Sequence, residues 1–147
     1  MKIKLWIFSL KCCIIYLMKK LTIGEIQKVL WNECKRIIRA KYVSTSPPER
    51  WECYTCGKVI TEKKDAHTAH FIPKSICGAF LKYDLRNLRV CCYRCNVWLT
   101  GNGTAYYKNM VEREGQEYVD QLFRDKQKII KAYDHYEYLL NLYSNTK

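Results

Sequence analysis

At 147 residues the chain has room for one domain with a modest hydrophobic core, and a metal staple would help a protein this small reach independent stability. Its 26 Lys and Arg against 14 Asp and Glu leave a formal charge of +12, a field that attracts polyanions such as DNA, RNA or an anionic membrane. Nine cysteines raise the idea of a secreted disulfide scaffold, but the number is odd and four of them fall into two C-x-x-C pairs, a pattern that favours reduced thiolates holding metal inside a cell.

The first 18 residues, MKIKLWIFSLKCCIIYLM, are apolar, yet Lys4 and Lys11 interrupt them. The uninterrupted run falls well short of the ~20 residues of a spanning helix, and no small-residue cleavage site follows. Met18, followed by Lys19 and Lys20, offers an alternative start. Residues 1–20 are therefore read as a dispensable leader, with a docking helix or a targeting signal as alternatives, and no membrane partner is expected. Residues 21–147 form a single domain on this reading.

Thr22 and Glu25 make a capping-box pair, and Ile26, Leu30, Cys34 and Ile37 recur at helical spacing, which predicts a helix from about Thr22 to Tyr42. Its Lys28, Lys35, Arg36, Arg39 and Lys41 are either a solvated face or a phosphate-contacting stripe. The STSPP segment at 44–48 cannot continue a helix, because proline lacks the amide donor and restricts the residue before it. From 51 to 100 the pattern is short-range: a knuckle at Cys53 to Cys56, a β-type stretch near Ala66 to Ile72, a loop, a strand over Asn87 to Val90, then a helix. Beyond the Gly101-Asn102-Gly103 break, Tyr106, Tyr107, Met110 and Val111 begin a helical pattern. After Gly115, residues Tyr118, Val119, Leu122, Phe123, Ile130, Tyr133 and Tyr136 extend another, giving C-terminal helices over 104–143 whose aromatic stripe faces the core. The fold class is α+β: a small zinc-stapled ββα core flanked by an N-terminal helix and C-terminal helices.

Cys53-x-x-Cys56 and Cys92-x-x-Cys95 supply four soft thiolates, the donor set of a closed, tetrahedral, structural Zn²⁺ site. In small zinc peptides such a site contributes about 10 to 16 kcal/mol, more than a core of this size supplies alone. Cys91 leaves the register ambiguous, since it could replace Cys92 at a looser spacing. Cys12, Cys13, Cys34 and Cys77 read as buried or unpaired thiols.

Between and around the knuckles lie DAHTAHFIPKS (Asp65 to Ser75) and LRNLRVCCYRCN (Leu85 to Asn96). This order of His70, Asn87 and Asn96 resembles the HNH (ββα-metal) endonuclease superfamily, here as an H-N-N variant. The flanking segments LWNECKRIIRAKY, CYTCG, AHFIPKS, LTGN and EREGQEYVDQL are similar to the phage recombination endonuclease family NinG. The zinc-flanked core alone is similar to endonuclease VII type resolvases. The resemblance implies a metal-dependent DNA endonuclease acting on branched recombination intermediates of phage or prophage DNA in the bacterial cytoplasm. It also implies His70 as general base, Asn96 as an oxygen ligand to a catalytic Mg²⁺ or Mn²⁺, and Asn87 as the residue that ties down the loop between the strands.

Many HNH nucleases carry an Asp before the histidine as a second metal ligand, and Ala69 stands there instead. His67 shares strand parity with that position and is a further candidate ligand. Lys74, Arg86, Arg89 and Arg94 are expected to contact DNA phosphates. His135 reads as a packing or surface histidine. No small-molecule cofactor is expected, and a homodimer would supply the two active sites that symmetrical junction cutting needs. The rival reading is a non-catalytic zinc module that binds nucleic acid.

Overall fold

The structure is a computed structural model that describes residues 21–146; the expected leader at 1–20, with Cys12 and Cys13, lies outside the described residues. The first helix, α1 (Ile23–Lys41), begins where the capping pair places it. The Thr22 hydroxyl accepts the Glu25 amide at 3.3 Å, and the Glu25 carboxylate accepts the Thr22 amide at 2.8 Å. Such a cap contributes about 1 kcal/mol. The helix buries Ile26, Leu30, Cys34, Ile37 and Ile38. It packs most extensively on the last helix, where Tyr136, Leu139, Leu140 and Tyr143 are buried. The basic face of α1 is partly committed: Arg36 donates to the carbonyls of Tyr143 and Thr146, and Arg39 to that of Ala66.

After the proline-containing loop, β1 (Trp51–Glu52) pairs antiparallel with β2 (Val59–Ile60) to form the first knuckle. The turn between them needs Gly57 at φ 73°, a left-handed conformation that a side chain would strain. A second antiparallel hairpin joins β3 (His67–His70) to β4 (Leu88–Cys91), pairing His67 with Cys91 and His70 with Leu88. Because side chains alternate along a strand, Thr68, His70, Leu88 and Val90 share one face, and His67, Ala69, Arg89 and Cys91 share the other. The expected strand over Ala66 to Ile72 is shorter in the structure. Phe71 and Ile72 leave the ladder to bond Asn87, which itself sits in a one-turn 3₁₀ helix before β4. The short α2 (Gly78–Leu81) lies in the connecting loop.

The helix expected after the second knuckle is a single π-helical turn, Arg94–Trp98. It stops because Thr100, Gly101 and Asn102 are all left-handed, with φ of 47°, 95° and 50°. Then come α3 (Gly103–Glu114), a break at Gly115, and α4 (Gln116–Asp125). The apolar pattern from Tyr118 to Tyr136 predicted one helix; the structure divides it, with α5 running over Ala132–Ser144. At the break, Asp125 ends α4 with a buried carboxylate that pairs with Arg86 at 2.8 Å and Lys128 at 2.7 Å. The fold class is α+β as expected. Among the described residues, no helix is long and apolar enough to cross a membrane.

Candidate metal centre and adjoining cleft

The two knuckles bring Cys53, Cys56, Cys92 and Cys95 together, with all four Sγ atoms within 4.8 Å of one another. The Cys56 and Cys92 sulfurs are 3.9 Å apart. A tetrahedral zinc with Zn–S bonds of about 2.3 Å separates its sulfurs by about 3.8 Å, so the donor set fits the ion in type and spacing. Fixed donors aim at the sulfurs: the Cys92 amide reaches Cys53 Sγ at 3.2 Å, and the Asn102 side-chain amide reaches Cys95 Sγ at 3.6 Å. The register ambiguity resolves in favour of Cys92. Cys91 ends β4, is fully buried, and stays outside the four-sulfur cluster. Its thiol hydrogen-bonds Cys53, which drives the Cys53 thiol down and the Cys91 thiol up. Cys34 is a buried thiol pushed up to about 12, chiefly by burial, and donates to the Tyr83 carbonyl at 3.4 Å. Cys77 is likewise buried, and burial raises its thiol.

His70 ends β3 at the neighbouring cleft. Its ring stacks on Trp31 of α1, with centroids 5.2 Å apart and planes 10° from parallel. Its Nε2 lies 2.8 Å from the Lys82 carbonyl. A carbonyl can only accept, so Nε2 carries the proton and the neutral ring leaves Nδ1 bare. Burial is the main cause lowering its pKa below the ordinary 6.5; the Lys82 carbonyl opposes this, and the charges of Lys74 and Lys82 add to the lowering.

Asn87 is fully buried and clamps the loop between β3 and β4. Its Oδ1 accepts the Ile72 amide at 2.7 Å, and its Nδ2 donates to the carbonyls of Ile72 at 3.1 Å and Leu81 at 3.4 Å. Leu81 immediately precedes Lys82, so the clamp holds the peptide just before the one whose carbonyl pairs with His70. Asn96 leaves the π-turn directly after the last cysteine, and its Nδ2 donates to His67 Nδ1 at 3.2 Å. That leaves Oδ1 without a partner among the described residues. His70, Lys74 and Asn96 line one cleft of about 190 Å³, together with Phe71 and Pro73.

The four basic residues expected at DNA divide. Lys74 is exposed on the cleft, and Arg94 is exposed in a separate groove of about 400 Å³. Arg86 is partly exposed but held by Asp84 and Asp125. Arg89 is a correction: its side chain is only 2% exposed and pairs with Glu114 at 2.7 Å, so it cannot serve as a surface phosphate contact. Its guanidinium lies among the rings of Tyr42, Tyr54 and Tyr118 and donates to the carbonyls of Leu88 and Arg86. The reason is strand parity, which turns it toward α3 rather than solvent. His135 stacks on Phe80 and bonds its carbonyl, a packing role. Trp31 and the Lys82 carbonyl, which orient His70, were not singled out from the sequence; a tryptophan one residue beyond a buried helix position was the available signal.

No curated protein and no solved structure matches this chain. A family model described as "Bacteriophage Lambda NinG protein" matches residues 18–146, a span that includes both knuckles, the hairpin and all the C-terminal helices. With nearly its whole length covered, the chain belongs to the bacteriophage lambda NinG family.

Proposed function

We propose that this protein is a metal-dependent DNA endonuclease of HNH type, acting in the bacterial cytoplasm on branched recombination intermediates of phage or prophage DNA. The observation that carries the reading is that His70 and Asn96, from different elements, line one small cleft together with the basic Lys74. The bare Nδ1 of His70 is suited to take a proton from water as that water attacks phosphorus and the P–O3′ bond breaks. Depression of its pKa keeps that nitrogen free at neutral pH. Lys74 holds the phosphate by charge. Asn87 acts through the loop, holding the Leu81 carbonyl one peptide before the Lys82 carbonyl that positions His70.

The free Oδ1 of Asn96 is a hard oxygen donor, and His67 orients the amide that presents it. Mg²⁺ keeps several waters and draws ligands from substrate phosphates as well as protein; with Ala69 in place of a carboxylate, Asn96 Oδ1, water and phosphate oxygens would hold it here. Bound there, the cation would offset charge building on the phosphate and the departing oxygen.

The test is purified full-length protein with Mg²⁺, Mn²⁺ or neither, on linear, forked and four-way DNA of one sequence. Wild type is expected to cut in the presence of the cation, with preference for branched forms. His70→Ala should lose about 100-fold or more in rate while keeping zinc content and DNA affinity. Unchanged cleavage by His70→Ala would remove the base. Binding without cleavage under any cation would leave a non-catalytic zinc module.

A further inference from the structure

The π-turn that carries Asn96 also carries an aromatic residue the cleavage site does not use. Trp98 is 73% exposed, the most open aromatic side chain among the described residues. Tyr93 meets it at a centroid distance of 6.4 Å and an interplanar angle of 70°. Tyr93 in turn meets the His67 ring edge-on at 5.5 Å, and His67 bonds Asn96. A contiguous set of contacts therefore runs from Trp98 to the cleft. Arg94, one turn earlier, and Lys58 from the first knuckle line the same groove as Trp98, against the single acidic residue Asp65.

A large flat ring that is 73% exposed, with two cations beside it, matches what an unpaired nucleotide presents: a base to stack and a phosphate to neutralise. Fully paired DNA hides its base faces in the helical stack. We propose that Trp98, with Arg94 and Lys58, binds unpaired bases at a DNA branch point. This rests on the DNA-cleaving reading above and names the feature of the substrate that is recognised. A helix is about 10–12 Å across with its side chains, so a base stacked on Trp98 sits within a few nucleotides of a phosphate at Asn96.

The test is fluorescence-anisotropy binding of full-length protein, without added divalent cation, to a fluorescein-labelled oligo-dT, a fork with unpaired arms, and a blunt duplex. Trp98→Ala is expected to lose about five- to a hundred-fold in affinity for oligo-dT and fork, the range of one base–aromatic stack, and less than about twofold for duplex. Trp98→Phe should retain most of the affinity, and zinc content should be unchanged in both. Equal affinities of wild type and Trp98→Ala for the fork would overturn the proposal. So would an equal loss on all three DNAs, or light scattering that shows a wild-type dimer turned monomeric by Trp98→Ala, since a second copy would then cover the ring. Cation-dependent cleavage is measured separately on the same samples. Its absence, with the Trp98-dependent preference intact, would defeat the nuclease reading alone.

Discussion

Cys95 and Asn96 are neighbours in sequence, but the thiolate cluster and the cleft they serve are held in opposite ways. The cluster takes its ligands from two tight turns, each closed by local hydrogen bonds such as Gly57 N to the Cys53 carbonyl at 2.8 Å. The cleft has local closures on its Asn96 side, such as Gly101 N to the Cys95 carbonyl at 2.9 Å, but its imidazole is held by distant elements. His70 depends on Trp31 from α1 and a carbonyl from the loop before β4, and that loop depends on Asn87. A cluster of like donors can be assembled by whatever ion they share, whereas an aimed imidazole needs the whole fold in place.

The largest expected effect separates the two regions. Cys92→Ser should abolish stoichiometric zinc and the cooperative unfolding transition together, because a Cys₄ site worth about 10 kcal/mol is comparable with the whole stability of a small domain. Metal analysis and circular dichroism read both; a folded, zinc-free variant would break the contrast. Asn87→Ala comes next. It strands the Ile72 amide and two carbonyls, and should cost about 3 kcal/mol in denaturant unfolding while zinc stays bound. Cleavage should fall further than stability explains, since the loop that carries the Lys82 carbonyl loosens. A variant with normal activity would show that the clamp serves folding alone.

The smallest effect is a pH dependence. With the His70 pKa held below 6.5 by burial, the acid limb of kcat/KM should lie below 6.5, and a limb above it would contradict the buried, Nε2-protonated ring. The stability sign follows. The unfolded chain binds this proton first, so the contribution of neutral His70 is full above pH 6.5. It declines as pH falls through 6.5 toward the lower folded value.

The same contrast explains what could be read from the residues. The capped α1, the two knuckles and the β3–β4 hairpin were legible because their signals are local: a capping pair, C-x-x-C spacing, strand alternation. The burial of Arg89 was not, because the tyrosines around it come from α1's end, the first knuckle and α4. Nor was the division of the last helical pattern, since α4 and α5 both send apolar residues to one core and so preserve the periodicity across their junction. His67 was read as a candidate ligand from parity alone; the bond to Asn96 adds a direction that parity does not contain. Trp98 carries no local signal of its role, because its exposure depends on how the turn after the second knuckle is placed.

The stacking of Trp31 on His70 has a consequence for any attempt to shorten the protein. Residues 51–100 contain every sulfur the ion needs, yet the platform beneath the imidazole is contributed from outside them. The minimal piece able to bring the four sulfurs together and the minimal piece able to hold the His70 ring are thus different lengths of chain. Evolution can trim one only by leaving the other unsupported.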